Sequence, residues 1–166
     1  MSAAAPLTDD LRSLYQDIIL DHGKTPRNLR LVEHHTCKAQ GNNPMCGDRV
    51  TVTARVSDTG VLEDVAFEGK GCAISIASAS MMSEALAGQT TATAHQLFEA
   101  VHDLCTGKTD ADHVKAKVPA DLRDSVDKLA ALSGVRQFPV RVKCATLAWH
   151  ALMSCLDGKN QATTEK

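Results

Sequence analysis

The chain has 166 residues, a formal net charge of −2, 43% hydrophobic residues and 23% charged residues. That length suits one domain with a proper core, and the balance is that of a soluble globular protein rather than a disordered one. Near-neutral charge gives no electrostatic case for nucleic acid or an anionic membrane surface, and no apolar run approaches the ~18 residues of a membrane span.

Met1 to Leu7 carries no charge and lacks the basic and apolar regions of a signal peptide, so the expectation is a cytoplasmic protein. Thr8 is a candidate helix N-cap, with Asp9 and Asp10 in the first turn where the helix dipole favours acids. Leu11, Leu14, Tyr15, Ile18 and Ile19 recur at helical spacing and predict an amphipathic helix to about His22. Gly23 and Pro26 stop it, and Pro26-Arg27-Asn28 reads as a turn. Residues 29–42 are polar and mixed. Adjacent His34 and His35 would point to opposite faces of a strand, so they read as solvent-exposed rather than as a ligand pair. Cys37 is placed on a first short strand.

Val50 to Val56 alternates apolar with polar, the pattern of a half-buried strand. Ser57 to Gly60 supplies a turn, and Val61 to Phe67 a second strand with Val61, Val65 and Phe67 on one face. An antiparallel hairpin follows. Glu68 to Gly71 ends it, and Cys72 opens a small-residue helix from Ala73 to Ala87, with Gly88 as its stop. Its Ala and Ser ridge would let another backbone approach closely. At the helix N-terminus, unpaired N–H groups and the positive dipole end favour Cys72 as thiolate.

A further helix is expected from about Ala94 to Cys105, with Leu97, Val101 and Leu104 on one stripe and His95 and His102 on a solvated side. Residues 106–120 read as a loop, and Asp121 to Leu132 as a shorter helix ending at Gly134. The last helix begins near Pro139 and runs to about Asp157, with Cys144, Leu147, Ala148, Ala151, Leu152 and Cys155 on one inward stripe. Residues 158–166 form a polar tail. The expected architecture is one α+β domain over 1–166, ordered from about 8 to 157: a small antiparallel sheet of about three strands packed against several helices.

Six cysteines (Cys37, Cys46, Cys72, Cys105, Cys144 and Cys155) without an export signal favour a reducing compartment. There, clustered thiols serve metal or redox chemistry, with oxidised structural pairs as the alternative. Cys155 lies 11 positions beyond Cys144, roughly 16 Å along a helix, so the two cannot share one metal site. Cys155 and Cys105 read as small buried hydrophobes.

Asn43-Pro44-Met45-Cys46-Gly47-Asp48 precedes the first hairpin strand. In extended backbone, residues i and i+2 point the same way, so Cys46 and Asp48 face one site. Cys72 begins one helix and Cys144 lies in the first turns of another. Element ends are where solvent and partners reach a site. Three thiolates and a carboxylate make a tetrahedral set suited to zinc, although the spacings fit no zinc finger and unrelated buried cysteines are the competing reading. Arg141, one helical turn before Cys144, could partly offset the negative charge of such a shell, or simply be an exposed first-turn arginine.

The segments Leu14 to His22 with Pro26-Arg27-Asn28, Asn43 to Asp48, Gly69 to Ser75 and Arg141 to Ala145 together resemble the SufU family of the wider IscU-like fold of iron–sulfur cluster assembly proteins. The resemblance runs from about residue 8 to 157. IscU proteins have a histidine immediately before the third cysteine, whereas this chain has Lys143. SufU proteins also carry an insertion between the second and third cysteines, matched by residues 88–134. Gly23 departs from the family, where a tyrosine is common, but lies outside the ligand set.

The resemblance implies zinc held by Cys46, Asp48, Cys72 and Cys144. It implies a zinc-dependent sulfurtransferase or sulfur carrier for iron–sulfur cluster assembly, with Cys46 as catalytic residue. Its partners would be a SufS-type cysteine desulfurase, which uses pyridoxal phosphate, and downstream assembly proteins. A histidine of the desulfurase would replace Cys46 on zinc, freeing the thiolate to take the persulfide sulfur. The alternatives are a scaffold on which an iron–sulfur cluster is assembled, using the same thiolates, and a non-catalytic zinc-stabilised interaction module.

Overall fold

A computed structural model describes residues 8–163. Met1 to Leu7, read above as lacking the features of a signal peptide, and the last three residues of the polar tail lie outside them. Helix α1 spans Asp9–Lys24, and the Thr8 hydroxyl accepts the Leu11 N–H as its N-cap. Three strands follow, β1 Cys37–Asn43, β2 Asp48–Val56 and β3 Leu62–Lys70, then helices α2 Ala73–Leu86 and α3 Thr91–Thr106. Short helices α4 Ala111–Lys115 and α5 Arg123–Leu129 precede α6 Pro139–Leu156, with 3₁₀ turns at Ala120–Leu122 and Ala130–Val135. Strand β4, Gln161–Thr163, ends the described chain.

The fold is α+β, as the sequence predicts, but the sheet has four strands in the order β3-β2-β1-β4 and is mixed. β1–β2 and β2–β3 pair antiparallel, whereas β4 adds to the free edge of β1 in parallel. Part of the expected polar tail is therefore a strand. Its pairing comes from the edge of β1, with Gln40 N–H donating to the Asn160 carbonyl at 2.9 Å, and not from any apolar pattern of its own. The loop expected over 106–120 contains α4, capped by the Asp110 carboxylate on the His113 N–H. The helix expected over 121–132 is broken into α5 between 3₁₀ turns.

The hairpin is present, but its inward face differs from the expectation. A register shift at Arg55/Val56 pairs Val56 with Leu62, so Leu62 is fully buried beside Val65 and Phe67. Val61 instead bridges Thr90, outside the strand. A bulge of this kind flips the side-chain alternation on one side of it.

Helices α2 and α6 lie against the sheet and each other, and α1 packs outside α2. The Ala and Ser ridge of α2 does make a close helix–helix seam. The Ser78 hydroxyl donates to the Ala145 carbonyl of α6 at 2.5 Å and accepts the Trp149 indole N–H at 3.1 Å. The Pro26-Arg27-Asn28 turn does more than end α1. Its Arg27 N–H donates to the Ser80 hydroxyl and the Asn28 side chain to that of Ser83, docking the turn on α2.

Cys155 is not a free buried thiol. It forms a disulfide with Cys37, Cα–Cα 5.3 Å, joining the start of β1 to the end of α6. The two residues are 118 apart in sequence; α6 lying across β1 brings them together, and no local pattern encodes that pairing. Cys105 is buried as expected, its thiol pushed up to about 12 by desolvation. Among the described residues no helix is long and apolar enough to cross a membrane.

Candidate metal centre

Strand alternation builds one wall of the site. Ala39, Gly41 and Asn43 of β1 and Asp48, Val50, Val52 and Ala54 of β2 are alternate buried positions (Thr53, also buried, accepts the Val32 N–H), so Asn43 and Asp48 face the helices rather than solvent. The two residues are directly paired across the strands. Between them the chain turns through Pro44 to Gly47, with the Cys46 N–H donating to the Asn43 carbonyl at 3.2 Å and Gly47 at φ 69°. Cys46 and Asp48 thus meet through a tight turn, not through the extended backbone expected. Glycine takes that left-handed geometry without the Cβ penalty.

Helices α2 and α6 build the other wall. Cys72 is the N-cap of α2 and Cys144 sits in the second turn of α6, where it is buried. One sulfur each from Cys46 and Cys144 and one carboxylate oxygen of Asp48 lie within 4.8 Å of one another. The two sulfurs are 3.3 Å apart. Cys72 joins from the far side, its sulfur 4.0 Å from Asp48 Oδ2 and its backbone N–H donating to Asp48 Oδ1 at 2.8 Å. Cys46 and Cys72 are solvent-exposed, while Asp48 is 2% exposed.

This donor set fits a thiophilic divalent cation. Two sulfurs and a carboxylate oxygen converge, with the Cys72 sulfur 4.0 Å from that carboxylate, separations of the size that donors take around a tetrahedral ion with bonds of ~2.0–2.3 Å. Burial first, then Asp48 and the Cys46 and Cys72 sulfurs, push the Cys144 thiol far above its ordinary range. A cation is what would favour its thiolate. No histidine lines the depression around the cysteines, whose rim is Ala73, Ile74, Gln137, Phe138, Pro139, Val140 and Arg141.

Arg141 lies beside the cysteines, packed on an aromatic ring. Its guanidinium lies 4.7 Å over the Phe138 ring, at the rim, and it shares the depression with Cys46, Cys72 and Cys144. Besides the Val140 carbonyl, 3.6 Å from Cys144 Sγ, Asn43 touches the donors. It is fully buried, and its Nδ2 lies 3.3 Å from Asp48 Oδ2 and 3.4 Å from Cys144 Sγ. Nothing about an asparagine before a proline announces this. The signal available was its place at the end of a strand, directly before the Cys-Gly-Asp turn.

Residues 14–145 match the family described as the NifU-like N-terminal domain. The chain is 43% identical over 143 residues to the zinc-dependent sulfurtransferase SufU of Bacillus subtilis (strain 168), covering 86% of this chain and 89% of that one. It is 35% identical over 152 residues to the iron-sulfur cluster assembly scaffold protein IscU of Streptococcus pyogenes serotype M1, covering 88% and 84%. A solved structure from Fervidobacterium islandicum AW-1, described as a candidate iron–sulfur cluster assembly scaffold protein for the SUF system, superposes with a TM-score of 0.69 at 30% identity, over 87% of this chain and 98% of that one. The chain belongs to the SufU family, within the family of the NifU-like N-terminal domain.

Proposed function

We propose that this protein is a zinc-dependent sulfur carrier that accepts persulfide sulfur from a cysteine desulfurase for iron–sulfur cluster assembly. Cys46, Asp48, Cys72 and Cys144 would hold the metal, and Cys46 would be the nucleophile. The observation that carries this is the convergence of the Cys46, Asp48 and Cys144 donor atoms within 4.8 Å, beside Cys72, with Cys46 exposed on a turn. Zinc, when bound, keeps such sulfurs as thiolates at neutral pH and withholds them from stray oxidants.

The chain's own residues divide the work unequally. Asp48 is fixed by the Cys72 N–H and Cys144 is buried in α6, so both suit permanent ligation. Cys46 has the exposed turn and Gly47 behind it, and can swing away without moving a strand or a helix. Its thiolate would attack the outer sulfur of the donor's cysteine persulfide. One S–S bond forms at Cys46, the donor's S–S bond breaks, and the donor cysteine leaves as a thiolate, with no net oxidation or reduction.

Elemental analysis of the purified protein, with and without Asp48→Ala, tests the metal. About one zinc per chain, lost in the variant, is expected. Wild-type protein without zinc overturns the reading.

The scaffold role is the second reading, favoured by the named IscU relative. The same thiolates suit an iron–sulfur cluster. Anaerobic reconstitution followed by transfer to an apo-ferredoxin separates the two. The sulfur-carrier reading expects no labile cluster on this chain.

A further inference from the structure

Resting on the zinc-holding reading above, we infer that Asn43 is a positioning residue that fixes Asp48 and Cys144 as the ligands that stay, and thereby leaves Cys46 as the ligand that exchanges. Its amide nitrogen faces both Asp48 Oδ2 at 3.3 Å and Cys144 Sγ at 3.4 Å, and the residue is fully buried. Both neighbours are acceptors once deprotonated. The amide NH₂, which carries two donors, is therefore the end that must face them.

The geometry cannot easily be reached by another residue type. Asn43 ends β1 in direct register with Asp48, on the face turned toward α6. From there a short side chain meets the carboxylate across the strands and the sulfur in α6. A shorter serine would fall back from the sulfur, and a glutamine would be one methylene too long for the closed space.

Two effects follow. Hydrogen bonds from an uncharged donor favour the anionic form of the acceptor without adding a titrating group. A neighbour that bonds a metal ligand also fixes that ligand's orientation. Asp48 has both oxygens engaged, Oδ1 by the Cys72 N–H and Oδ2 by Asn43. Cys144 has the Asn43 amide and the protein around it. Cys46 and Cys72 are both exposed, but Cys72 is tied at the α2 N-cap by its N–H to Asp48. Cys46 instead sits on the turn before Gly47 with its sulfur's side-chain contact to Cys144, itself a proposed ligand. The shell is thus held on one side and loose on the other, and the loose side is the one solvent and a partner reach. A four-ligand set with equal holding would release any of its members. This one is built to release a particular sulfur.

The experiment compares wild type, Asn43→Leu, which keeps the branched heavy-atom outline and deletes the amide, and Asn43→Ala. Zinc-loaded protein is mixed with a chromophoric chelator, and the cobalt(II)-substituted protein is measured by absorption. Both variants are expected to release zinc 10- to 100-fold faster, the usual effect of deleting a residue that supports a ligand. The thiolate-to-cobalt charge-transfer band is expected to move to lower energy, because a sulfur stripped of its N–H donor is easier to oxidise. A merely structural asparagine would leave that band in place. Iodoacetamide mapping of the zinc-loaded protein should change from Cys46 first to Cys46 and Cys144 together.

Wild-type zinc binding with an unmoved band and unchanged release in both variants overturns the inference and leaves the zinc reading standing. Wild type that holds no zinc overturns both. If both metal-free variants fail to give a cooperative melt, Asn43 is a folding residue and the assigned role is wrong.

Discussion

Asp48 Oδ1 accepts the backbone N–H of Cys72 at 2.8 Å, so a carboxylate at the start of β2 is tied to the first residue of the α2 cap. The neighbouring Gly71 is what lets the chain come so close. A Cβ built there would lie 2.6 Å from Asp48 Oδ1 and 3.1 Å from its Cγ. Gly71→Ala must therefore displace either the carboxylate or Cys72. The expected result is zinc well below one per chain with a metal-free form destabilised by about 1–3 kcal/mol, the usual cost of overpacking. Elemental analysis and thermal melts check it. Full zinc occupancy in Gly71→Ala would show that Asp48 does not need its present position.

Cys46→Ala removes an exposed side chain, so the metal-free melting temperature should change little. Stimulation of a SufS-type desulfurase should fall on the order of 100-fold or more, because nothing replaces a lost nucleophile. Stimulation at the wild-type level in this variant would remove Cys46 from the proposed role.

His22 is 4% exposed, with Nδ1 2.7 Å from the Ser80 hydroxyl. Burial first, and then Arg27, hold its pKa below the ordinary imidazole value of 6.5. The unfolded chain therefore takes up a proton more readily than the folded one. The stability His22 contributes is fully present above that ordinary value and is lost as pH falls below it toward the depressed one. Asp21 and Asp64, held below 3.8 chiefly by their hydrogen bonds from Arg27 and Arg30, are lost only at lower pH. Melting temperature should fall as pH drops below the ordinary imidazole value of 6.5, and His22→Asn should flatten that slope. Parallel slopes in the two proteins would acquit His22.

The Cys37–Cys155 disulfide should stabilise the fold without touching the candidate metal centre. It joins the start of β1 and the end of α6, whereas Asn43 ends β1 and Cys144 lies near the start of α6. Replacing both cysteines by alanine is expected to cost about 2–4 kcal/mol, or roughly 5–15 °C of melting temperature at this size. Zinc per chain should stay unchanged in that double variant. Zinc lost along with the disulfide would mean the two ends of the molecule are coupled.

Much of this was legible because periodic patterns decide long elements. Leu11, Tyr15 and Ile18 mark α1, and the alternation from Val50 marks β2, whose boundaries the sequence places within a few residues. What escaped has no such pattern. β4 is three residues drawn into the sheet by an open edge, and α4 is a single capped turn. The bulge that replaces Val61 by Leu62 in the core depends on how β3 meets β2, which neither strand encodes alone. The grouping of Cys46, Asp48, Cys72 and Cys144 as one ligand set comes from family resemblance. Spacing alone left it beside unrelated buried cysteines. Asn43 went unremarked because its chemistry exists only once β1, β2 and α6 are assembled.

The same disulfide makes the polypeptide from Cys37 to Cys155 a covalent ring, and Cys46, Cys72 and Cys144 all lie inside it. A protease that nicks any loop within that ring leaves both pieces joined through sulfur. Damaged molecules would keep their mass and separate into two bands only after reduction, so a single cut cannot by itself cast off the segment that bears any one of these thiols.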